Sequence, residues 1–452
     1  MSKSGTDVSM ILNNEESDTS QKLIEYLNPN VLGLKVSPTL RINQRCKELA
    51  AKGKHIYKLG LGQSPFPVPE SVVNALRLYA PQKDYLPVQG LKELRKTVAE
   101  FHRRKDEVDV LPENVIIGPG SKELLFLLQL VFDGEIIIPS PSWVSYLPQS
   151  KIIGKTIHII HTKADDEWRL MPEQIDKFCK ETRHKNNAPR LLILNYPGNP
   201  DGVTYDEKLI KQLAEAARRN HIYILSDEIY GRLHHTGDHI SIARFYPEGT
   251  IISSGLSKWC GAGGWRLGTF SFPPDLHWLM EAMSVVASET YTSVSAPIQY
   301  AAIQAFQCGA EIEDYLWHAR RILAALGKET AAILRSGNIR VTDPTGGFYL
   351  FLDFSELKEK LRKRNIVNGE LLCESLLNDA GVAILPGTDF NRPDHELSAR
   401  LSYVDFDGAK ALSKSMTIPL HEKLPPDFTS NYCFNVIQAA KVLVEWVNGE
   451  SA

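Results

Sequence analysis

Lys258 and Arg266 are the only charged side chains in the segment 253–268, SSGLSKWCGAGGWRLG. The small and apolar run 250–254 enters this segment like a buried strand. Gly261, Gly263 and Gly264 then permit backbone conformations and close approaches that side chains would forbid. Unpaired charge in such surroundings is costly, so both cations call for partners. Lysine condenses with carbonyl groups, and arginine grips phosphate with a fork of donors. A ligand carrying both an aldehyde and a phosphate would satisfy the pair. On these residues alone, a glycine-rich surface turn with two incidental cations is the other reading.

Further candidates lie elsewhere in the chain. Asp227 closes the apolar run His221 to Asp227, and a carboxylate there needs a partner. Gly120-Ser121-Lys122 stands between the strand-like 114–118 and an apolar helix, where free N–H groups and the positive helix end suit a phosphate; Ser121 as a plain N-cap is the simpler account. Asn195-Tyr-Pro-Gly-Asn199-Pro200-Asp201-Gly202 has the composition of a turn.

The pattern Gly255-Leu-Ser-Lys258, Gly261, Trp265-Arg266-Leu267-Gly268 resembles the lysine-site signature of class I/II aminotransferases, fold-type I pyridoxal-phosphate enzymes of the aspartate aminotransferase superfamily. The likeness extends over roughly residues 35 to 450. It implies that Lys258 is the covalent anchor of pyridoxal 5′-phosphate and the proton carrier, and that Asp227 pairs with the ring nitrogen. Asn199 and Tyr230 would hold the phenolic oxygen, and Trp143 would stack on the ring. Gly120, Ser121, Lys122 and Arg266 would cradle the phosphate, joined by Tyr85 from a neighbouring subunit. Arg400, in Ser398-Ala-Arg-Leu-Ser402, would hold the substrate α-carboxylate, with Gly62, Trp143 and Asn199 also at the substrate. The chain departs from the pattern at Gly255, where many relatives carry serine, which leaves a phosphate contact to Ser257 or Ser254. Asp201 replaces the threonine of the N-x-P-x-N-P-T-G element. Ser140–Pro141 and Asn199–Pro200 are the expected cis bonds.

The elements that must position these residues alternate. Strand patterns at 135–139, 156–161, 190–195 and 221–227 are interleaved with helical patterns at 142–151, 172–183 and 206–220. Such alternation signals βαβ units and a parallel sheet, with ligands at the carboxyl ends of its strands. The expected fold is α/β: a large domain, 76–325, with a mostly parallel sheet flanked by helices, and a smaller α/β domain made of 1–75 and 326–452. Residues 1–20 read as a mobile tail. Residues 419–431 read as an irregular insertion before the last helix.

The composition, 43% hydrophobic and 23% charged over 452 residues, is that of a globular protein with a large core. A net charge of −3 argues against nucleic acid as the main partner. Six cysteines without a CxxC pair suggest neither zinc nor disulfides. The run Arg232-Leu-His234-His235-Thr-Gly-Asp238-His239 has metal-like composition but no regular spacing, and reads as a solvated loop, so no metal is expected. Neither a signal or transit peptide nor a membrane span is expected, and the cytoplasm is the expected location.

The expected function is amino transfer between an L-amino acid and a 2-oxo acid by a homodimer with shared sites. A lyase or an aminocyclopropane-carboxylate-synthase-like enzyme on the same scaffold is the alternative. A cofactor-sensing domain of a transcription regulator is less fitting, since roughly 40 residues before the fold leave no room for a helix-turn-helix domain.

Overall fold

The computed structural model describes residues 26–182 and 188–449; the expected N-terminal tail lies outside them. Its strands are β1 (Tyr57–Lys58), β2 (Val115–Gly118), β3 (Glu135–Ser140), β4 (Ile157–His161), β5 (Arg190–Asn195), β6 (Ile222–Asp227), β7 (Thr250–Gly255), β8 (Gly268–Ser271), β9 (Tyr349–Asp353), β10 (Val382–Ala383), β11 (Leu385–Pro386) and β12 (Ser398–Ser402). Seven of these form one sheet in the order β2-β8-β7-β6-β5-β3-β4. Only β8 runs against its neighbours; every other pairing is parallel.

Strand residues alternate between two faces, and each face has its own core. Ile136, Ile138, Leu191, Ile193, Leu225 and Ile251 pack with Leu124, Leu128, Met280 and Met283 from helices Ser121–Val131 and His277–Glu289. Ile137, Leu192, Leu194, Ile222 and Ile224 pack with Ile175, Ile210 and Leu213 from helices Pro172–Thr182 and Glu207–Arg219. A parallel sheet covered on both faces explains why its strands read as nearly unbroken apolar runs.

A second, smaller assembly consists of the antiparallel sheet β11-β12-β9 and the parallel pair β1-β10. The helix Ala310–Ser336, 27 residues long, ties it to the large sheet's side. Leu316 and Leu323 of that helix share one continuous core with Leu94 and Val98 on one side and Leu350, Leu401 and Leu443 on the other.

Some elements differ from the sequence reading or add to it. Residues 382–386 form two short strands, β10 and β11, which pair with β1 and β12 respectively. The helix expected from Ser142 begins only at Tyr146, after an irregular stretch in which the Ser142 N–H donates to the Phe390 carbonyl at 3.1 Å. An additional helix, Glu70–Tyr79, follows Pro65, Pro67 and Pro69, with Pro69 at its N-cap. The insertion at 419–431 is irregular only up to its short helix Phe428–Tyr432. Arg321 holds its start, donating to the carbonyls of Ser415, Ile418 (2.7 Å) and Pro419 (3.1 Å).

Candidate active site

The carboxyl ends of β5, β6 and β7 lie side by side, with Asn195 opposite Asp227 and Asp227 opposite Ser253. Asn195 locks this edge: its amide donates to the Asp227 carbonyl at 2.7 Å and its oxygen accepts the Asn199 N–H at 2.8 Å. The Asp227 carboxylate is buried and accepts from the Tyr146 hydroxyl at 2.6 Å and from Ser253 Oγ at 3.1 Å. Burial raises its pKa, and the bonds from Tyr146 and Ser253 oppose that rise by favouring the ionised form.

Lys258 follows β7 by three residues and donates from Nζ to the Gly62 carbonyl at 2.8 Å. The ammonium lies 5.6 Å from the centre of the Tyr230 ring. Burial, reinforced by Arg400 and Arg266, lowers its pKa to about 8. A lysine so placed is partly neutral near physiological pH, as a nucleophile and proton carrier requires.

Arg400 projects from β12 and is buried. It donates from Nη1 to Asn199 Oδ1 at 3.0 Å and from Nη2 to the Gly60 carbonyl, and it lies between the rings of Tyr349 (4.8 Å) and Phe390 (4.9 Å). Its Nε has no partner among the described residues, and no carboxylate is hydrogen-bonded to its guanidinium. A buried guanidinium without a carboxylate partner is suited to capture one from a ligand.

At the far end of the same cavity Arg266, held in a left-handed conformation (φ 55°), donates to the carbonyls of Gly263 (2.9 Å) and Pro119 (3.2 Å). Gly120, at φ 90°, is the N-cap of helix Ser121–Val131, so the expected capping role of Ser121 does not arise. A Cβ at Gly120 would overlap the Arg266 guanidinium, and one at Gly268 would overlap the Ser121 N–H. Glycine at both positions keeps a cation beside a helix N-terminus, a cradle for an anion.

The cavity has a volume of about 530 Å³ and is lined by Gly62, Ser121, Lys122, Trp143, Asn199, Asp227, Tyr230, Ser257, Lys258, Arg266 and Arg400 together. Thus nearly every residue singled out from sequence converges on one space. Gly120 lies directly beneath Arg266. Tyr85 is the exception: it is 90% exposed and lines no part of the cavity.

Sequence reasoning missed Tyr146, Ser253 and Asn195 around Asp227, and Tyr349, whose hydroxyl bonds that of Tyr230 at 2.8 Å. Tyr349 is also the reason for Gly62, since a Cβ there would overlap its hydroxyl. Within the helix expected at 142–151, Tyr146 stands three residues after Trp143, and that spacing is the one signal that could have found it; in the structure the two lie across the turn before the helix, both lining the cavity.

Two other expectations need correction. The cis bonds are Ser140–Pro141 and Tyr196–Pro197, while Asn199–Pro200 belongs to the turn closed by Gly202 N–H onto the Gly198 carbonyl at 3.0 Å. The histidine-containing loop at 232–239 is only partly solvated: Arg232, Leu233 and His239 are buried, while Thr236 and Asp238 are exposed. His239 Nε2 donates to the Glu228 carboxylate at 2.7 Å, Arg232 pairs with Asp106 at 2.5 Å, and burial lowers the pKa of both His234 and His235 to about 4. Glu228 also accepts from Ser226 (2.8 Å) and Ser241 (2.6 Å), so its polar neighbours serve a carboxylate. No cluster of three or more His, Cys, Asp or Glu poised for a metal occurs among the described residues. Among them, too, no helix is long and apolar enough to cross a membrane.

Comparison with known proteins agrees with this geometry. The family model described as aminotransferase class I and II matches residues 54–410. The aspartate/prephenate aminotransferase of Thermus thermophilus is 31% identical over 388 residues, 83% of this chain and 94% of its own. The aspartate aminotransferase of Bacillus sp. (strain YM-2) is 30% identical over 389 residues, 84% of this chain and 95% of its own. Among solved structures, the Thermus thermophilus aspartate aminotransferase with maleate superimposes with a TM-score of 0.76 at 30% identity, covering 86% of this chain and 98% of that one.

Proposed function

This chain belongs to the class I and II aminotransferases, and from that premise we propose that it anchors pyridoxal 5′-phosphate on Lys258 and takes its amino group from a dicarboxylic amino acid. That it moves an amino group between an amino acid and an oxo acid follows from the family and its relatives. The observation that carries the rest is the single cavity in which Lys258, Asp227, Arg266 and Arg400 meet.

The residues present fit the cofactor. Arg266, the Ser121 end of its helix and Ser257 form a phosphate-sized cradle that a Cβ at Gly120 would fill. Bound there, pyridoxal phosphate supplies an electron sink for a carbanion at the donor's α-carbon. Lys258, with its pKa lowered to about 8, is the group that takes and returns that carbon's proton. Asp227, whose ionised form the bonds from Tyr146 and Ser253 favour against its burial, would hold a proton on the ring nitrogen. Tyr230 and Asn199 would hold the phenolic oxygen, Trp143 would stack on the ring, and Arg400 would take the α-carboxylate with its forked donors, all of them lining the one cavity.

Lys122, first expected at the phosphate, has another role in this reading. Its ammonium sits 5.0 Å over the Trp143 ring with no hydrogen-bond acceptor among the described residues, and burial and Arg266 lower its pKa. Lys122 is exposed to water, and a second substrate carboxylate would take the place of that water at its ammonium, in keeping with relatives named for aspartate. The working form in this proposal is a cytoplasmic homodimer, with residues 76–325 as the cofactor domain. Tyr85, exposed and outside its own cavity, then serves the partner subunit's phosphate.

The test is a half-reaction. Holoenzyme given L-aspartate and no acceptor is expected to release one equivalent of oxo acid per site and stop, then resume when 2-oxoglutarate is added. Sustained release of oxo acid and ammonia without an acceptor would instead support the lyase alternative.

A further inference from the structure

The two walls of the cavity come from different parts of the chain. Trp143 follows β3 of the large sheet, whereas Arg400 and the Phe390 ring that covers it belong to the smaller assembly. Something must hold these walls at a fixed separation if one ligand is to touch both.

The turn Gly387–Phe390 and the two residues after it make that connection. The Phe390 carbonyl accepts the Ser142 N–H at 3.1 Å, the Asn391 carbonyl accepts Ser140 Oγ at 2.7 Å, and Asn391 Nδ2 donates to Ser142 Oγ at 3.1 Å. At the centre is Arg392, whose side chain is 6% exposed. Its Nη1 donates to the carbonyls of Ser140 (2.8 Å) and Thr162 (3.1 Å), the ends of β3 and β4. Its Nε and Nη2 form a fork with Glu396 at 2.8 and 2.7 Å, and its guanidinium lies 4.9 Å over the Trp168 ring. Trp168 packs in turn edge-on to Phe351 of β9, in the same cluster as Phe390.

We infer that Arg392 is a positioning residue that fixes the distance between the ring-stacking wall at Trp143 and the carboxylate-binding wall at Arg400. The inference rests on the reading of the cavity given above. Arg392 touches no ligand space itself; it lines no part of the cavity. Its effect passes through Ser140 and Ser142 to Trp143, and through the 387–392 turn to Phe390 and Arg400. A guanidinium suits the task because one planar group serves two carbonyls and a carboxylate at once, which an ammonium cannot do in the same geometry. Misplacement of a binding group by an ångström costs up to about a hundredfold in rate terms, so a modest loosening should be measurable.

The test uses the holoenzyme variants Arg392→Met, Arg392→Lys and Glu396→Gln. Each is titrated with maleate as a dicarboxylate probe of both walls, followed by the cofactor's visible absorbance, and assayed for kcat and KM. In Arg392→Met the maleate Kd and the donor KM should rise together by about tenfold, with kcat changed less than about threefold and cofactor retained. Arg392→Lys should recover part of the loss, and Glu396→Gln should show a smaller rise in the same direction. Maleate binding within about twofold of wild type in Arg392→Met would overturn the inference. So would a parallel fall in kcat, cofactor retention and melting temperature that lysine does not relieve. If Arg392→Met does not fold, Glu396→Gln decides: unchanged maleate binding overturns the inference and weakened binding supports it. Wild-type enzyme that fails to bind maleate would count against the dicarboxylate reading instead. The same comparison would then be made with KM for the oxo-acid acceptor.

Discussion

Tyr146 and Asp227 stand 81 residues apart in the chain, yet the tyrosine hydroxyl donates to the carboxylate across 2.6 Å in a buried space. Burial raises the Asp227 pKa, and this bond is the largest of the opposing influences. Removing it should therefore push the pKa further up, so that Asp227 protonates at a higher pH and loses its hold on a ring-nitrogen proton. Tyr146→Phe is expected to lower kcat by about tenfold at neutral pH, the worth of one hydrogen bond to a charged group. It should also move the acid limb of the pH–rate profile to higher pH. A limb that stays in place would show that Asp227 does not set it.

Lys258 gives a second titration, of opposite sign. Its folded pKa is lowered from 10.5 to about 8. Below pH 8 both folded and unfolded chains keep the proton, and the buried cation weighs against folding. As pH rises from 8 towards 10.5 the folded protein has released the proton and the unfolded chain has not, so stability increases. Cofactor-free protein should accordingly gain melting temperature over that window relative to Lys258→Met. Arg400 is one of the cations that depress this pKa. Arg400→Gln should raise it, slowing the reaction of the apoprotein with a simple aldehyde at pH 8. An unchanged rate would separate the two residues electrostatically.

The legible part of this molecule was the part written locally. Strands β3 to β6 and the helices between them follow from runs of apolar residues, and their carboxyl ends locate Trp143, Asn199 and Asp227. What stayed hidden is contact between distant segments. Ser253 reaches Asp227, Tyr349 reaches Tyr230, and Arg392 reaches Ser140, each from a segment with no periodicity that points to its partner. The loop 232–239 reads as solvated because its metal-like composition lacks regular spacing. Thr236 and Asp238 are indeed exposed, but His239 and Arg232 serve the buried partners Glu228 and Asp106, and Arg320 donates to the Arg232 carbonyl at 2.8 Å from the long helix above it. Composition alone does not distinguish a polar residue facing water from one facing a buried carboxylate.

Gly120 tests the phosphate cradle without touching the chemistry. Its φ of 90° is a conformation that side chains rarely adopt, and an added methyl group would overlap the Arg266 guanidinium. Gly120→Ala should displace Arg266 or strain the helix start, at about 1–2 kcal/mol for the backbone alone. The expected result is a cofactor dissociation constant raised by about tenfold or more, measured by equilibrium dialysis, with residual kcat at saturating cofactor much less affected. Equal affinity in the two proteins would mean that the phosphate is held elsewhere.

Lys122 separates two accounts of one cation. As part of the phosphate cradle it would act on the cofactor and so on every substrate equally. As the partner of a second substrate carboxylate it would act only on donors that carry one. Its ammonium lies over Trp143, the ring expected to stack on the cofactor, and takes no acceptor among the described residues, whereas Arg266 already sits at the helix end beside Gly120. The second account is therefore the expected one. Lys122→Met keeps the length and apolar contact of the side chain while removing its charge. It should lower kcat/KM for aspartate by about 10- to 100-fold, the loss of one charge-assisted bond, and for alanine by less than about threefold. The cofactor dissociation constant should remain within about twofold of wild type. An equal loss for aspartate and alanine, accompanied by weaker cofactor binding, would return Lys122 to the phosphate and remove the structural argument for a dicarboxylic donor.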